Sequence, residues 1–189
     1  TFPVAEDTVA LVHAGNGGVG RLLVQMIKNL GGKVIATAST AEKRQSLVDL
    51  GVDYAIEYQD FDSQVRKLTD NVGVDVVVDG VGKDTYMQSL GSLKKRGLLA
   101  LFGASSGPVP EFDLQLLNSM GSLFITRPTL ADYIATREEL ESRTKELFQE
   151  ILDRKLKVEI GGEYPLADAS LAHQDLESRK TSGKLLLVF

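Results

Sequence analysis

The chain has 189 residues, 43% hydrophobic and 25% charged, enough for one globular unit with a sizeable core. It has no cysteine and only two histidines, His13 and His173, so disulfides and thiolate zinc sites are excluded and a catalytic metal is disfavoured. A formal net charge of −5 argues against a broad nucleic-acid footprint. No apolar run approaches the roughly 20 residues of a bilayer-spanning helix. The first residues are neither basic nor continuously apolar, and a cytoplasmic protein is expected.

Six short β-rich runs precede residue 128, at 9–14, 34–37, 54–57, 74–79, 98–102 and 123–126, with amphipathic stretches between them. Most are apolar without alternation, as strands buried on both faces are, so the expected fold is α/β: a doubly wound parallel sheet (Rossmann fold) of six strands with helices on both faces. Val19, Leu22, Leu23, Met26, Ile27 and Leu30 have helical spacing and predict a first helix ending at Gly31-Gly32. A second is expected from Ser39, read as the N-cap of a capping box with Glu42, to about Gly51. A long helix over 131–154 carries Leu140, Leu147, Phe148, Ile151 and Leu152 on one stripe. A C-terminal helix-strand extension follows: a short strand at 158–160, a Gly161-Gly162 turn, a helix over 167–179 and a strand at 185–189. No internal repeat is present.

The chemistry concentrates after the first strand, where Gly15-Asn16-Gly17-Gly18-Val19-Gly20 fits G-x-G-x-x-G and opens into the first helix. Gly15 would permit the tight turn, Gly17 the approach of a diphosphate, and Gly20 close helix–strand packing. The helix N-terminus adds free N–H groups and a positive dipole end. Alternatives at this point are a purely structural turn and another nucleotide, such as the adenosyl group of a methyltransferase. NAD-binding domains place an acid about 20 residues on, near the end of the second strand. Here Ala36-Thr37-Ala38-Ser39-Thr40 is neutral, and Glu42 is followed by Lys43 and Arg44. Hydroxyls, a helix start and two cations suit a 2′-phosphate, so NADPH is expected over NADH. Ser39 could instead be only a cap, and the two cations only an exposed helix face.

Later strand ends carry Asp79-Gly80-Val81-Gly82, Gly103-Ala104-Ser105-Ser106-Gly107 and Thr126-Arg127-Pro128, which in an open α/β sheet face the ligand crevice. Asp79 could equally be a plain strand-end residue. His13 reads as a hydrogen-bonded core histidine and His173 as exposed. None of the tyrosines has lysine four residues later, which disfavours a short-chain dehydrogenase, and no G-x-S-x-G elbow is present.

Residues 12–20 (VHAGNGGVG), 79–85 (DGVGKDT), 101–107 (LFGASSG), 121–128 (GSLFITRP) and 176–179 (LESR) resemble the zeta-crystallin-like, zinc-independent quinone oxidoreductases of the medium-chain dehydrogenase/reductase superfamily. The resemblance implies hydride or electron transfer from NADPH to a quinone or conjugated carbonyl. It places Gly17, Gly18 and Val19 at the diphosphate, with Gly15, Asn16 and Gly20 completing the loop. Ser39, Lys43, Tyr58 and Arg179 would surround the 2′-phosphate; Gly80, Phe102, Gly103, Ser105, Thr126 and Arg127 would lie along the nicotinamide half. Asn16 departs from the alanine usual in this loop, and its side chain must point away from the phosphates. Catalytic residues are unknown and expected largely in an N-terminal domain of roughly 130 residues that the family carries ahead of this chain's start. The division expected is 1–156 for NADPH binding and 157–189 for an extension returning to that domain. This chain alone should then bind NADPH and turn over quinones poorly. A homodimer through the edge strand Leu123 to Thr126 is implied. An enoyl or alkenal reductase on the same scaffold remains open, as does a crystallin-like or single-stranded RNA-binding relative; the acidic balance speaks against RNA.

Overall fold

In a computed structural model, residues 1–178 and 181–189 are described. The elements are β1 Val9–Val12, α1 Gly18–Asn29, β2 Lys33–Thr37, α2 Ala41–Asp49, β3 Tyr54–Ile56, α3 Phe61–Leu68, β4 Val74–Asp79, α4 Tyr86–Ser92, β5 Leu93–Leu101, α5 Gln115–Ser119, β6 Phe124–Thr126, α6 Leu130–Tyr133, α7 Arg137–Leu152, β7 Ile160–Pro165, α8 Ala169–Glu177 and β8 Lys184–Val188. Strands β1 to β6 form one parallel sheet in the order β3-β2-β1-β4-β5-β6.

Alternate side chains of each strand feed two separate cores, which is why the runs are apolar throughout. Leu11, Ile35, Val77 and Leu99 face Phe61, Val65 and Leu90 of α3 and α4. Ala10, Val12, Val34, Ala36 and Val76 face Val24, Ile27 and Leu47 of α1 and α2. With helices on both faces, this is the Rossmann arrangement. The strand order reverses between β1 and β4, where loops leaving the strand ends diverge and leave a crevice.

Four local expectations are corrected. Helix α1 buries Gly20, Val24 and Ile27 and leaves Val19, Met26 and Leu30 exposed. The strand contact at Gly20 admits no side chain and sets the helix's rotation, so the residues four and seven positions on turn inward with it. The N-cap of α2 is Thr40, not Ser39: its hydroxyl accepts from the Lys43 N–H at 3.2 Å. The helix expected over 131–154 breaks into α6 and α7, because Thr136 and Glu139 form a capping box that starts a new helix. Gly161 and Gly162 lie inside β7 rather than in a turn. There β7 and β8, with α8 between them in the chain, make a second, two-stranded parallel sheet. Among the described residues no helix is long and apolar enough to cross a membrane.

Candidate functional site

The turn from β1 to α1 is built by backbone contact. Ala14 sits in the left-handed region at φ 49°, and its carbonyl accepts from the Gly17 N–H at 2.8 Å. The tight turn is therefore made at Ala14. Gly15 is needed for another reason, since a Cβ there would stand 2.9 Å from the Ala36 Cβ and 3.1 Å from Leu47. At Gly20 a Cβ would lie 2.3 Å from the Ala14 carbonyl oxygen, so only glycine lets α1 come this close to the strand end. Gly17 and Val19 are exposed and Gly18 half-buried. The N–H groups of Gly18, Val19 and Gly20 have no acceptor among the described residues; the first met within the chain is that of Arg21, by Gly17 at 2.9 Å. These donors, at the positive end of a twelve-residue helix with no acid in its first turn, make an anion cradle.

Asn16 does point away from the cradle. Its side chain is buried, its carbonyl oxygen accepting from Arg21 and, at 3.3 Å, from the Ser46 hydroxyl, while its amide donates to Ser182 at 3.4 Å. Arg21 also pairs with Glu159. This polar cluster ties the glycine loop to α2 and to the C-terminal sheet. Sequence reasoning missed it because no spacing rule connects residues 16, 21, 46, 159 and 182.

Beneath the crevice lies a buried polar chain. The Asp79 carboxylate accepts from the Val81 and Gly82 N–H groups at 2.7 and 3.1 Å and from the Thr85 and Ser89 hydroxyls at 2.8 and 3.0 Å. His13 bridges Ser89 at 2.9 Å and Thr37 at 3.0 Å. All five side chains are buried. Asp79 thus spends its oxygens on pinning the β4 loop, the structural role left open by the sequence, and His13 is the hydrogen-bonded core histidine expected. Burial pushes His13 down to about 4, against the upward pull of the Asp79 carboxylate. His13 and Asp79 clamp the ends of β1, β2 and β4 together.

The other predicted residues ring the same strand edge. Phe102 and Gly103 pack on Gly80: a Cβ on Gly103 would stand 2.5 Å from the Gly80 carbonyl oxygen, and one on Gly80 2.7 Å from the Phe102 ring. The Ser105 N–H donates to Gly80 at 3.2 Å. Thr126 ends β6, and the exposed Arg127 reaches back to the Leu101 carbonyl at 3.0 Å. On the other side of the glycine loop, Ser39 is exposed, Lys43 and Arg44 are half-buried, and the Tyr58 hydroxyl accepts from the Ala14 N–H at 2.9 Å while its ring stacks on His13. Arg179 lies outside the described residues. His173 is exposed on α8, as expected.

A family profile described as "Zinc-binding dehydrogenase" matches residues 18–152. The chain belongs to this family. Among its relatives are proteins named quinone oxidoreductase, in agreement with the resemblance read from its motifs. "Quinone oxidoreductase 1" of Escherichia coli (strain K12) is 44% identical over a 192-residue alignment taking in 100% of this chain and 59% of that protein. "2-haloacrylate reductase" of Burkholderia sp is 39% identical, over 100% of this chain and 57% of that protein. The solved structure of a mycobacterial protein complexed with NADPH superposes with a TM-score of 0.95 at 50% identity, covering 99% of this chain and 58% of that one. This family member thus spans less than two thirds of the length of these relatives. The zinc of the family description finds no fit here. The chain has no cysteine, and among the described residues no group of three or more His, Asp or Glu side chains is placed to hold a metal ion.

Proposed function

We propose that this chain is the NADPH-binding portion of an NADPH:quinone oxidoreductase. The observation that carries the reading is the row of N–H groups on Gly18, Val19 and Gly20, without an acceptor among the described residues, at the sheet's switch point, a place suited to a dinucleotide diphosphate. The 2′-phosphate falls to Ser39, Lys43, Tyr58 and Arg179, since the end of β2 offers hydroxyls and cations where an NAD-binding domain offers an acid. Gly80, Phe102, Gly103, Ser105, Thr126 and Arg127 line the nicotinamide half. When bound, NADPH supplies the hydride. The chain's residues bind and orient it, with Asp79 and His13 holding the loops that do so.

Residues 1–156 form the cofactor unit and 157–189 a C-terminal extension. A homodimer forms through the edge strand β6, whose exposed Phe124 offers an apolar contact. Reduction of a conjugated enone is the second reading of the same site, supported by the likeness to 2-haloacrylate reductase. Calorimetric titration tests the core of the proposal: NADPH is expected to bind at least about tenfold more tightly than NADH, a difference of roughly 1.4 kcal/mol. Equal affinities would remove the 2′-phosphate assignment.

A further inference from the structure

The glycine loop hangs on one buried residue at the end of β2. The Thr37 carbonyl accepts from the Gly15 N–H at 3.0 Å, and the Thr37 hydroxyl lies 3.3 Å from the Ala14 N–H, which also donates to Tyr58. Ala14 is left-handed, a backbone state that alanine keeps only where its surroundings impose it. The direction of the Thr37 hydroxyl therefore bears on the turn that leads into the first N–H groups of α1.

That direction follows from counting hydrogens. The Ser89 hydroxyl has one, and donates it to the Asp79 carboxylate at 3.0 Å, so in its 2.9 Å contact with the His13 Nε2 it can only accept. Burial keeps the imidazole uncharged at neutral pH, so a hydrogen on Nε2 leaves Nδ1 bare. Nδ1 then accepts the single hydroxyl hydrogen of Thr37 at 3.0 Å, which turns the Thr37 oxygen toward the Ala14 N–H. Every donor in the chain points the same way, from Ala14 to Thr37, His13, Ser89 and Asp79. The opposite tautomer would aim an N–H at Thr37 and turn the Ser89 hydrogen away from Asp79.

We infer that His13 is the Nε2-protonated tautomer and that, through Thr37, it is a positioning residue for the loop that receives the diphosphate. The role in binding rests on the NADPH reading above; the tautomer does not. Thr37, His13 and Ser89 are fully buried, so they do not touch a dinucleotide, and any effect on its affinity passes through the loop.

The test joins nitrogen-15 spectra of the histidine rings at pH 7 to calorimetric titration with NADPH, NADH and adenosine 2′-monophosphate. His173→Gln removes the signals of the other histidine. The His13 ring is expected to show a protonated Nε2 and a bare Nδ1; a protonated Nδ1 would overturn the inference. Thr37→Val keeps the shape and removes the hydroxyl, and should weaken NADPH and NADH by the same factor, about tenfold, with adenosine 2′-monophosphate within about twofold. Thr37→Ser should restore both dinucleotides. Unchanged affinities in Thr37→Val, or a loss confined to NADPH, would overturn the positioning role. If Thr37→Val does not fold, Ser89→Ala takes its place: it removes the acceptor of the Nε2 hydrogen, and is expected to mix the tautomers and weaken both dinucleotides by about threefold. An unchanged spectrum with unchanged affinities would refute the inference there. A parent chain that binds neither dinucleotide, yet shows the Nε2-protonated ring, would sink the NADPH reading and leave the tautomer standing.

Discussion

The junction of β1 with β4 and the chain beyond β6 are built on opposite terms. At the junction the buried side chains answer one another: Asp79 accepts from two N–H groups and two hydroxyls, His13 joins one of those hydroxyls, Ser89, to Thr37, and Gly20 presses α1 against a strand end. Beyond β6, α7 buries none of its residues, and Phe148 and Leu152 stand 58% and 74% exposed. Leu186, Leu187 and Val188 of β8 are exposed as well. The contrast teaches where this molecule is rigid. Its cofactor crevice is framed by contacts the chain supplies itself, while its later helix and strands present apolar side chains that stay exposed among the described residues.

The largest expected effects break the junction. Gly20→Ala puts a methyl where a carbonyl oxygen lies 2.3 Å away, and neither backbone can yield cheaply. A loss of about 3 kcal/mol is expected, seen as a melting point lowered by roughly 6–12 °C. Gly18→Ala, whose neighbour is a flexible lysine, should lose under about 1 kcal/mol. Acid attacks the same place. The fold holds His13 neutral with its pKa near 4, whereas the unfolded chain takes up that proton near 6.5, so this stabilisation is complete above pH 6.5 and drains away as pH falls to 4. The loss is about 3 kcal/mol. Urea unfolding across this window should show it for the parent chain and not for His13→Gln, which is less stable than the parent at neutral pH but lacks the titration. A parallel pH dependence in both would remove His13 from the account.

Smaller effects sharpen the contrast. Lys43→Ala should weaken NADPH by about tenfold or more and leave NADH nearly unchanged, read by fluorescence or calorimetric titration. Equal losses for both dinucleotides would assign Lys43 elsewhere. At the far end, Leu152→Gln removes an apolar side chain that touches no core, and the stability of this chain should stay within about 0.5 kcal/mol. A larger loss would mean that α7 is packed in solution.

Much of this was legible before the structure. The two-sided burial of the sheet followed from runs such as Val76-Val77-Val78, and the glycine loop from its place between a β-rich run and an amphipathic stretch. What escaped was whatever depended on contact between distant segments. Gly15 was assigned the turn, but φ values belong to the folded backbone and put it at Ala14. The orientation of α1 was read from its apolar spacing, yet one forbidden Cβ at Gly20 outweighs several leucines. Ser39 and Thr40 are both competent caps, and only the chain's path after β2 decides between them. Thr136 and Glu139 carried a visible capping signal that the apolar stripe of the surrounding residues obscured. Ser89 gave no signal at all, since its partner His13 lies 76 residues away.

The central claim is that main-chain N–H groups at the start of α1 receive the cofactor's diphosphate. Amide chemical shifts of the isotopically labelled chain, followed as NADPH is added, address it residue by residue. The account predicts that Gly17, Gly18, Val19 and Gly20 move most, with Val81 and Phe102 following and α7 unmoved. Saturation by NADPH with those four resonances in place, or no response to millimolar NADPH, would contradict it.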